Sequence, residues 1–430
     1  MRSRAWALAP RLHQSPRRMH AVKVTIVADE LPFPPVHGGR LDVWRQLIVV
    51  AEAGVDIQFI CWYHPKAESA RLEEVTREVK RVVADLIVIP LKRGMSARWL
   101  TLARLRRYPF YVAMRIMTKS EWMSVSQRVR QFAPSLILLE SIYGGELAKG
   151  IAHRLRLPLA VRTQNVEHKY IPRQARLADH WRTRLRLYLT ALHLKKFEFA
   201  LLRQSRHFFD ISMEDLQYWR DSGLTHGTWL PPFAMAQSVS VNADGAEYDL
   251  VFVGNLYTPS NVKAVVWLVA DVFPRIRKVR PTTTLLVAGR APTSAVRRAC
   301  DSSENVILES DPADAMQFYA RGRVLVNPAL HGSGISMKSL EMLQVLRPIV
   351  STPQGLQGLP ADVQNLFRIA RNGQDFADAV IGCLRAPAID RRERARVLEK
   401  YFGQSAKSEF VNSLRRLASD THVGCPPSAV

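Results

Sequence analysis

Cysteine is scarce in this sequence, and long apolar runs are absent. The four cysteines form no C-x-x-C pair, and no His/Cys cluster has zinc-site spacing; they are Cys61, Cys300, Cys383 and Cys425. Scattered cysteines are typical of a reducing cytosol, where each is usually a small buried apolar residue. No stretch approaches the roughly 18 consecutive apolar residues that a transmembrane helix needs. We therefore expect a cytoplasmic protein whose contact with a membrane, where there is one, is peripheral.

Acidic residues are outnumbered by basic ones. The 430-residue chain has 61 Lys and Arg against 38 Asp and Glu, a formal net charge of +23. Such a surplus attracts nucleic acid, anionic lipid headgroups or phosphorylated small molecules. The basic residues are spread along the chain without a bZIP, zinc-finger or RNA-binding signature, which argues against nucleic acid. Hydrophobic residues make up 47%, a globular balance rather than that of a disordered chain.

The N-terminal half alternates β-rich runs with helical segments. Residues 22–28 are a β-rich run, and after the loop 31–39 apolar residues recur at helical spacing until Gly54. Residues 56–61 are the next strand, so strand, glycine loop, helix and strand follow one another as a βαβ unit. Further buried strands are predicted at 135–140, 157–162 and 208–212.

The C-terminal half repeats this alternation after a stretch of small and polar residues. Apolar runs return at 250–253, 284–288, 306–308, 324–326 and 349–350, with helices over about 261–279 and from about 336. Short apolar runs between helices indicate parallel sheets. The sequence therefore predicts an α/β fold of two tandem Rossmann-like domains that face a cleft. Because ligands bind at the carboxyl ends of parallel strands, we expect the site in that cleft.

The predicted segments follow from these patterns. They are a basic disordered tail at 1–20, an N-terminal domain at 21–235, a linker at 236–247, a C-terminal domain at 248–390 and helices at 391–420 that pack back towards the N-terminal domain. The tail contains five arginines and no acid, as a transit peptide does, but no long apolar segment follows it. A start at Met19 is the alternative interpretation of this tail.

Two glycine turns stand at predicted strand ends. Gly38 and Gly39 follow the first strand and open a helix, where backbone N–H groups can approach an anion; a plain loop is the alternative. Gly254 and Asn255 follow strand 250–253, and Asn255 serves equally well as a turn or cap residue.

The segment 327–341 combines a strand end, a glycine-rich turn and a helix. The turn Gly332-Ser333-Gly334 has backbone amides suited to a diphosphate. Lys338 and Glu341 are three residues apart and share one helix face. A lysine neutralises phosphate and a carboxylate accepts bonds from sugar hydroxyls, although the pair could also be a plain surface salt bridge.

These motifs together resemble a known family. Segments 252–264, 286–290, 332–341 and 347–358 are similar to the donor domain of group 1 (family four) glycosyltransferases, and segments 35–40 and 162–168 are similar to its N-terminal half. The resemblance implies the GT-B fold, a nucleotide-sugar donor and retention of the anomeric configuration. The nucleotide sugar is a substrate in this family, so no cofactor is expected, and no D-x-D-like metal site is present in the sequence.

The resemblance also implies roles for single residues. Together with the residue patterns above, it makes Asn165, Ser333 and Lys338 the candidates for the reaction centre. Donor-binding roles fall to Gly38, Gly39, Gly254, Asn255, Arg290, Gly332, Gly334 and Glu341. Glu341 corresponds to the second glutamate of the family's Glu-x₇-Glu motif, which holds the donor's ribose, and Asn165 lies in the motif that faces the transferred sugar.

Four positions depart from the family's usual residues. Ser333 replaces the first glutamate of the motif, Asn255 an arginine, Ser260 a lysine and Gln164 a histidine. Three function classes therefore stay open: a glycosyltransferase of cell-envelope or exopolysaccharide synthesis acting on a glycan or lipid-linked acceptor, a sugar-nucleotide epimerase or phosphorylase, and a non-catalytic donor-binding paralogue.

A basic stretch in the N-terminal half calls for its own interpretation. Between Lys92 and Lys119 there are eight Lys/Arg and no acid, interleaved with large apolar residues such as Trp99. A basic amphipathic surface suits anionic lipid, so a membrane surface is a possible partner. The alternative is an ordinary solvated helix face with a buried apolar side.

Overall fold

The computed structural model describes eight ranges of the chain: 22–35, 38–92, 94–178, 180–233, 245–311, 315–331, 334–386 and 389–419. The predicted basic tail, most of the predicted linker, Cys425, and the candidate site residues Gly332 and Ser333 lie outside the described residues.

The N-terminal domain is built on a parallel sheet with the strand order β3-β2-β1-β4-β5-β6-β7. Its strands are β1 Lys23–Ala28, β2 Asp56–Tyr63, β3 Asp85–Pro90, β4 Leu136–Glu140, β5 Leu159–Thr163, β6 His207–Asp210 and β7 Gly227–Trp229. The helices are α1 Gly38–Glu52, α2 Pro65–Glu68, α3 Leu72–Val79, α4 Met95–Arg104, α5 Phe110–Ala113, α6 Lys119–Phe132, α7 Gly145–Leu155, α8 Glu167–Leu177, α9 Trp181–Ala191, α10 Leu194–Gln204 and α11 Met213–Asp221.

The C-terminal domain has a second parallel sheet with the order β10-β9-β8-β11-β12-β13. Its strands are β8 Tyr248–Asn255, β9 Leu285–Arg290, β10 Val306–Ser310, β11 Gly322–Asn327, β12 Ile349–Ser351 and β13 Arg368–Ile369. The helices are α12 Pro259–Trp267, α13 Phe273–Val279, α14 Ser294–Asp301, α15 Ala315–Ala320, α16 Met337–Leu343, α17 Ala361–Gln364, α18 Gly373–Arg385, α19 Arg391–Phe402 and α20 Gln404–Ser419.

The central strands are buried on both faces. All five residues of β4 are buried, and so are all five residues of β5. Helices cover both faces of a doubly wound sheet, so its strands need continuous apolar sequence rather than alternation. The predicted α/β fold with two parallel sheets is therefore confirmed.

The predicted elements differ from the observed ones in a few places. Strands β3, β7 and β13 were not predicted; β7 and β13 have only three and two residues, too few for periodicity to register. The helix expected at 261–279 begins instead at Pro259, and a π-turn over Leu268–Val272 interrupts it. The helix expected from about 336 begins at Met337.

The last two helices contact different domains. Arg394 on α19 donates to the backbone oxygens of Val345 (2.9 Å) and Arg347 (3.1 Å) in the C-terminal domain. On α20, the ring of Phe410 lies 5.4 Å from that of Phe209 and 5.7 Å from that of Phe233. The chain thus crosses from the C-terminal domain back to the N-terminal domain, and α20 contributes to the core there.

The three described cysteines have the buried positions expected from the sequence. Cys61, Cys300 and Cys383 are buried free thiols. Within the described ranges, no helix combines the length and the apolar character that crossing a bilayer requires.

Candidate functional site

The carboxyl ends of both sheets border the cleft between the domains. After β5, the loop that carries Gln164 and Asn165 meets Gly334 of the C-terminal domain. Gly334 has φ +64°, and a β-carbon there would lie 2.6 Å from the backbone oxygen of Gln164 and 2.8 Å from Oδ1 of Asn165. Only glycine allows both this left-handed backbone and this close approach. The two predicted motifs, far apart in sequence, therefore form one site.

The Gly38-Gly39 turn also lies at the cleft. It begins α1, and a β-carbon on Gly38 would lie 2.8 Å from Cγ of Met337, the first residue of α16. The N-termini of α1 and α16 are thus brought together from different domains. Two such ends in one place give an electropositive environment suited to a diphosphate.

Lys338 belongs to α16, and its side chain extends towards β8, the first strand of the C-terminal sheet. Its Nζ donates to Oδ1 of Asn261 at 2.9 Å and lies 4.7 Å from the ring centroid of Phe252. Burial lowers the pKa of the ammonium to about 8, against the opposing effect of Glu341. A cation held this way is available to an anion at the carboxyl end of β8.

Asn261 links Lys338 to the other predicted residues of this domain. Its Nδ2 donates to the Asn255 backbone oxygen at 2.9 Å. Asn255 is paired in register with Arg290, the last residue of β9, and Arg290 is exposed. Gly254 precedes Asn255 on β8. These residues therefore line one end of the C-terminal sheet together with Lys338.

The negative charge of Glu341 on α16 favours the cationic form of Arg45 on α1, in the other domain. Arg45 belongs to α1 and is 7% exposed, and Nη1 donates to the Phe233 backbone oxygen at 3.3 Å. Burial lowers the pKa of Arg45, and the charges of Glu341 and Asp42 oppose this effect. The carboxylate of Glu341 is half-buried. The position suits acceptance of hydroxyl donors while a fixed cation stabilises the charge.

A buried ion cluster supports α1 from below. Arg162 on β5 has no exposed side-chain surface; its Nη2 donates to Asp42 Oδ1 at 3.0 Å, and its Nη1 donates to Asp42 Oδ2 at 2.5 Å. The same Nη1 donates to Glu140 at 3.3 Å, and Gln46 Nε2 donates to the other Glu140 oxygen at 2.6 Å. Burial raises the pKa of Glu140 to about 7, and Arg162 opposes the rise. Strands β4 and β5 are thereby tied to the helix that begins with Gly38.

The side chain of Asn165 is held by a carboxyl group. Its Nδ2 donates to Oε1 of Glu167 at 3.2 Å, and Tyr143 Oη donates to Oε2 of Glu167 at 2.9 Å. Burial raises the pKa of Glu167 to about 8, and the neighbouring Glu198 adds to this rise. Asn165 is therefore oriented by a group whose protonation changes near neutral pH.

Glu198 fixes the loop that carries these residues. It accepts from the backbone N–H groups of Glu167 (2.9 Å) and His168 (2.8 Å), and the His168 ring Nδ1 lies 2.6 Å from its Oε2. The other ring nitrogen of His168 lies 2.9 Å from Tyr218 Oη. Glu198 is fully buried on α10. The network preorganises the loop against the domain core.

A second set of hydrogen bonds joins the two domains, between the segments that follow β6 and β12. The Met213 N–H donates to the Gly358 oxygen at 3.1 Å, and Gln357 Nε2 donates to Glu214 at 3.0 Å. A cavity of 380 Å³ lies beside these bonds, lined by residues of both domains that include Leu356.

The structure thus brings most predicted site residues to one cleft. Gly38, Gly334, Lys338, Glu341 and Asn165 meet there, while Gly254, Asn255 and Arg290 line its C-terminal wall. Sequence reasoning missed Arg45, Glu198 and Tyr143. A signal existed for Arg45, because Asp42, Arg45 and Gln46 recur at helical spacing opposite the apolar face of α1.

Comparison with known proteins agrees with this geometry. Residues 247–386 match the family model described as glycosyl transferases group 1. An uncharacterized 44.6 kDa protein in the cps region of Klebsiella pneumoniae is 23% identical over 371 residues, covering 84% of this chain and 90% of that protein.

Solved structures match nearly the whole chain. TarM superposes with a TM-score of 0.66 at 9% identity, covering 91% of this chain and 98% of TarM. Anabaena HepE in complex with UDP superposes with a TM-score of 0.61 at 11% identity, covering 92% of this chain and 100% of HepE. Both similarities show that this chain has the GT-B fold.

Proposed function

We propose that the protein transfers a sugar from a nucleotide-sugar donor to a glycan or lipid-linked acceptor with retention of configuration. The observation that carries this proposal is the meeting of Asn165 and Gly334 in the cleft that also contains Lys338 and Glu341. The match of residues 247–386 to the glycosyl transferases group 1 model supports it. The site combines a cation, a helix N-terminus and hydroxyl acceptors, which is what a sugar diphosphate needs.

The residues divide into three roles in this proposal. Lys338 and the backbone amides of the turn 332–334, of which 332 and 333 lie outside the described residues, stabilise the charge that develops on the leaving diphosphate. Glu341 accepts hydrogen bonds from the ribose hydroxyls, and the positive charge of Arg45 favours the ionised form of its carboxylate. Asn165 faces the transferred sugar.

The transfer itself requires one bond exchange. The acceptor oxygen bonds to the anomeric carbon while the bond from that carbon to the diphosphate oxygen breaks. The proton of the acceptor hydroxyl passes to the departing diphosphate. The acceptor approaches the same face of the sugar from which the diphosphate leaves, so the configuration is retained. The cationic side chains would neutralise the leaving group, so we expect no metal requirement.

The comparisons suggest a setting for this reaction. The Klebsiella relative is named for the cps region, which favours a cytoplasmic role in capsule or other envelope polysaccharide synthesis. The HepE structure contains UDP, so UDP is the first nucleotide to test.

A donor-binding protein without transferase activity is the second candidate. The departures Ser333, Asn255 and Gln164 favour it, because each replaces a charged or titratable residue that relatives use. Hydrolysis of a nucleotide sugar by the purified chain would argue against this candidate. Analysis of the sugar product without an acceptor would separate a transferase from an epimerase.

Isothermal titration with UDP and UDP-sugars tests the proposed donor site. We expect binding by the native chain and roughly a hundredfold weaker binding by Glu341→Ala, since two hydrogen bonds to a charged acceptor are lost, each worth about 1.5 kcal/mol or more. Glu304→Ala, in which the replaced glutamate is 83% exposed on the same domain, is the matched control and should bind as the native chain does. Undiminished binding by Glu341→Ala would contradict the ribose role.

A further inference from the structure

Two helices of the N-terminal domain expose large apolar side chains. On α4, Trp99 is 69% exposed and Leu102 is 51% exposed; on α9, Trp181 is 68% exposed and Leu185 is 51% exposed. No residue of α4 is buried. Scattered single apolar residues are ordinary on a protein surface, but tryptophan exposed to this degree on two helices marks a contact surface.

The two helices belong to one surface. The short helix α5 contacts both α4 and α9. Arg104, at the end of α4, donates to the Ile116 oxygen just beyond α5 at 2.9 Å, and the ring of Tyr108 packs edge-on against Phe197 at 6.5 Å. The two exposed helices therefore flank α5. We call residues 94–104 and 180–192 the α4–α9 surface.

The charge of this region is of one sign. Residues 94–119 contain six Lys/Arg and no acid, and residues 180–196 contain five and no acid. Arg98, Arg182 and Arg186 are exposed next to the apolar side chains of the surface. The basic stretch recognised in the sequence is thus extended by a second segment, 80 residues further along, that the fold places beside it.

The α4–α9 surface lies near the cleft. Helix α5 contacts the turn Ile142–Gly144, which directly follows β4. Arg115 Nη2, two residues after α5, donates at 3.0 Å to the backbone oxygen of Asp29, the residue that follows β1. Both anchors are at the carboxyl ends of strands. The surface therefore borders the edge at which ligands of this sheet bind.

We propose that the α4–α9 surface docks on an anionic phospholipid bilayer. Its arginines meet the negative headgroups, and Trp99 and Trp181 enter the interfacial layer where indole rings are favoured. Docking in this orientation holds the cleft next to the membrane, where a lipid-linked acceptor enters it. That last step rests on the proposed glycosyl transfer, whereas bilayer binding does not.

Vesicle flotation of the full chain tests this surface. The chain should float with phosphatidylcholine vesicles that contain phosphatidylglycerol and stay behind with phosphatidylcholine alone, and added salt should reduce binding. The triple variant Arg98→Gln/Arg182→Gln/Arg186→Gln should bind roughly a hundredfold more weakly, because each basic residue near an anionic surface contributes about fivefold. Trp99→Ser/Trp181→Ser should also weaken binding while its charge is unchanged.

The matched control carries the same loss of charge elsewhere. Arg297→Gln/Arg298→Gln/Arg371→Gln removes three exposed arginines from the C-terminal domain and should float as the native chain does. Equal weakening by both triple variants, or no flotation at low salt, would overturn the proposal. So would dimerisation in ultracentrifugation that the tryptophan variant abolishes, since a second copy would then cover the surface. Titration with UDP is independent of these outcomes and tests the donor site separately.

Discussion

The ammonium of Lys338 donates a 2.9 Å hydrogen bond to Oδ1 of Asn261, and Asn261 in turn donates to the Asn255 backbone oxygen. This chain joins the helix after the glycine turn to the end of β8. It places one cation at a fixed position in the wall of the cleft. Because burial lowers the pKa of this cation to about 8, its charge changes within the range of ordinary assays.

Binding of UDP should therefore weaken with rising pH. Below its pKa Lys338 is charged and attracts the diphosphate, whereas above it the amine is neutral, so affinity should fall about tenfold between about pH 7 and about pH 9. Lys338→Arg stays charged over this range and should bind with little pH dependence. Lys263→Arg, on the exposed face of α12, is the control and should keep the native pH profile. Titration calorimetry at several pH values measures this, and an unchanged profile in Lys338→Arg would contradict the role.

Replacing Gly334 with alanine should lower the stability of the protein. Its φ of +64° and the 2.8 Å approach to Oδ1 of Asn165 leave no room for a β-carbon, so Gly334→Ala should destabilise by about 1–3 kcal/mol. Gly382→Ala is the control, since no atom lies within 4 Å of the new methyl group and α18 favours alanine. Thermal melts measure both variants. Equal melting temperatures for the native chain and Gly334→Ala would show that the loops do not need this approach.

The sequence predicts the central strands of this fold better than the strand at the edge of a sheet. Strands such as β4, with five buried residues, are visible because a strand covered on both faces must be continuously apolar. The edge strand β13 has two exposed residues, and its place is set by pairing with β12 rather than by its own composition. Pairing of this kind is a tertiary property, so no local pattern announces it.

The candidate site likewise has features that can be predicted from the sequence and features that cannot. Glycine turns that precede helices, as at Gly38, are local features and can be recognised from sequence. The network behind Asn165 cannot, because Tyr143 and Glu198 bind its partner Glu167 from positions more than 20 residues away in the chain. A buried carboxyl such as Glu198 looks like a surface residue in sequence. Only the folded chain shows that it organises the loop.

Breaking the buried Arg162 cluster should be costly. Arg162→Met leaves Asp42 and Glu140 buried without their cation, which should destabilise by about 3–5 kcal/mol. Adding Asp42→Asn and Glu140→Gln removes the unpaired charges and should recover much of this loss. Arg128→Met, which breaks the partly exposed pair with Asp85, should cost under about 1 kcal/mol. Denaturant melts compare the variants, and a small effect of Arg162→Met alone would show that the cluster is not needed for stability.

Stability should also fall as pH rises towards 8, because of Glu167. Burial raises its folded pKa to about 8 from an ordinary 4.5, so the folded state holds a proton that the unfolded state has lost between these values. Folding stability therefore decreases with pH in this window. The folded pKa of His168 is about 4, below its ordinary value of 6.5. His168 therefore makes stability rise with pH, but only below about pH 6.5. Above about pH 6.5 the carboxyl effect should dominate.

Glu167→Gln isolates this effect. Glutamine keeps partners for Tyr143 and Asn165 but does not titrate, so the variant should lose about 1.5 kcal/mol of the decline in unfolding free energy between about pH 6.5 and pH 8. Glu73→Gln, a substitution on the exposed side of α3, should leave the decline unchanged. Denaturant unfolding at each pH provides the measurement. If the native chain and Glu167→Gln show the same slope against pH, then Glu167 is ionised in the folded protein and Asn165 is held by a carboxylate throughout.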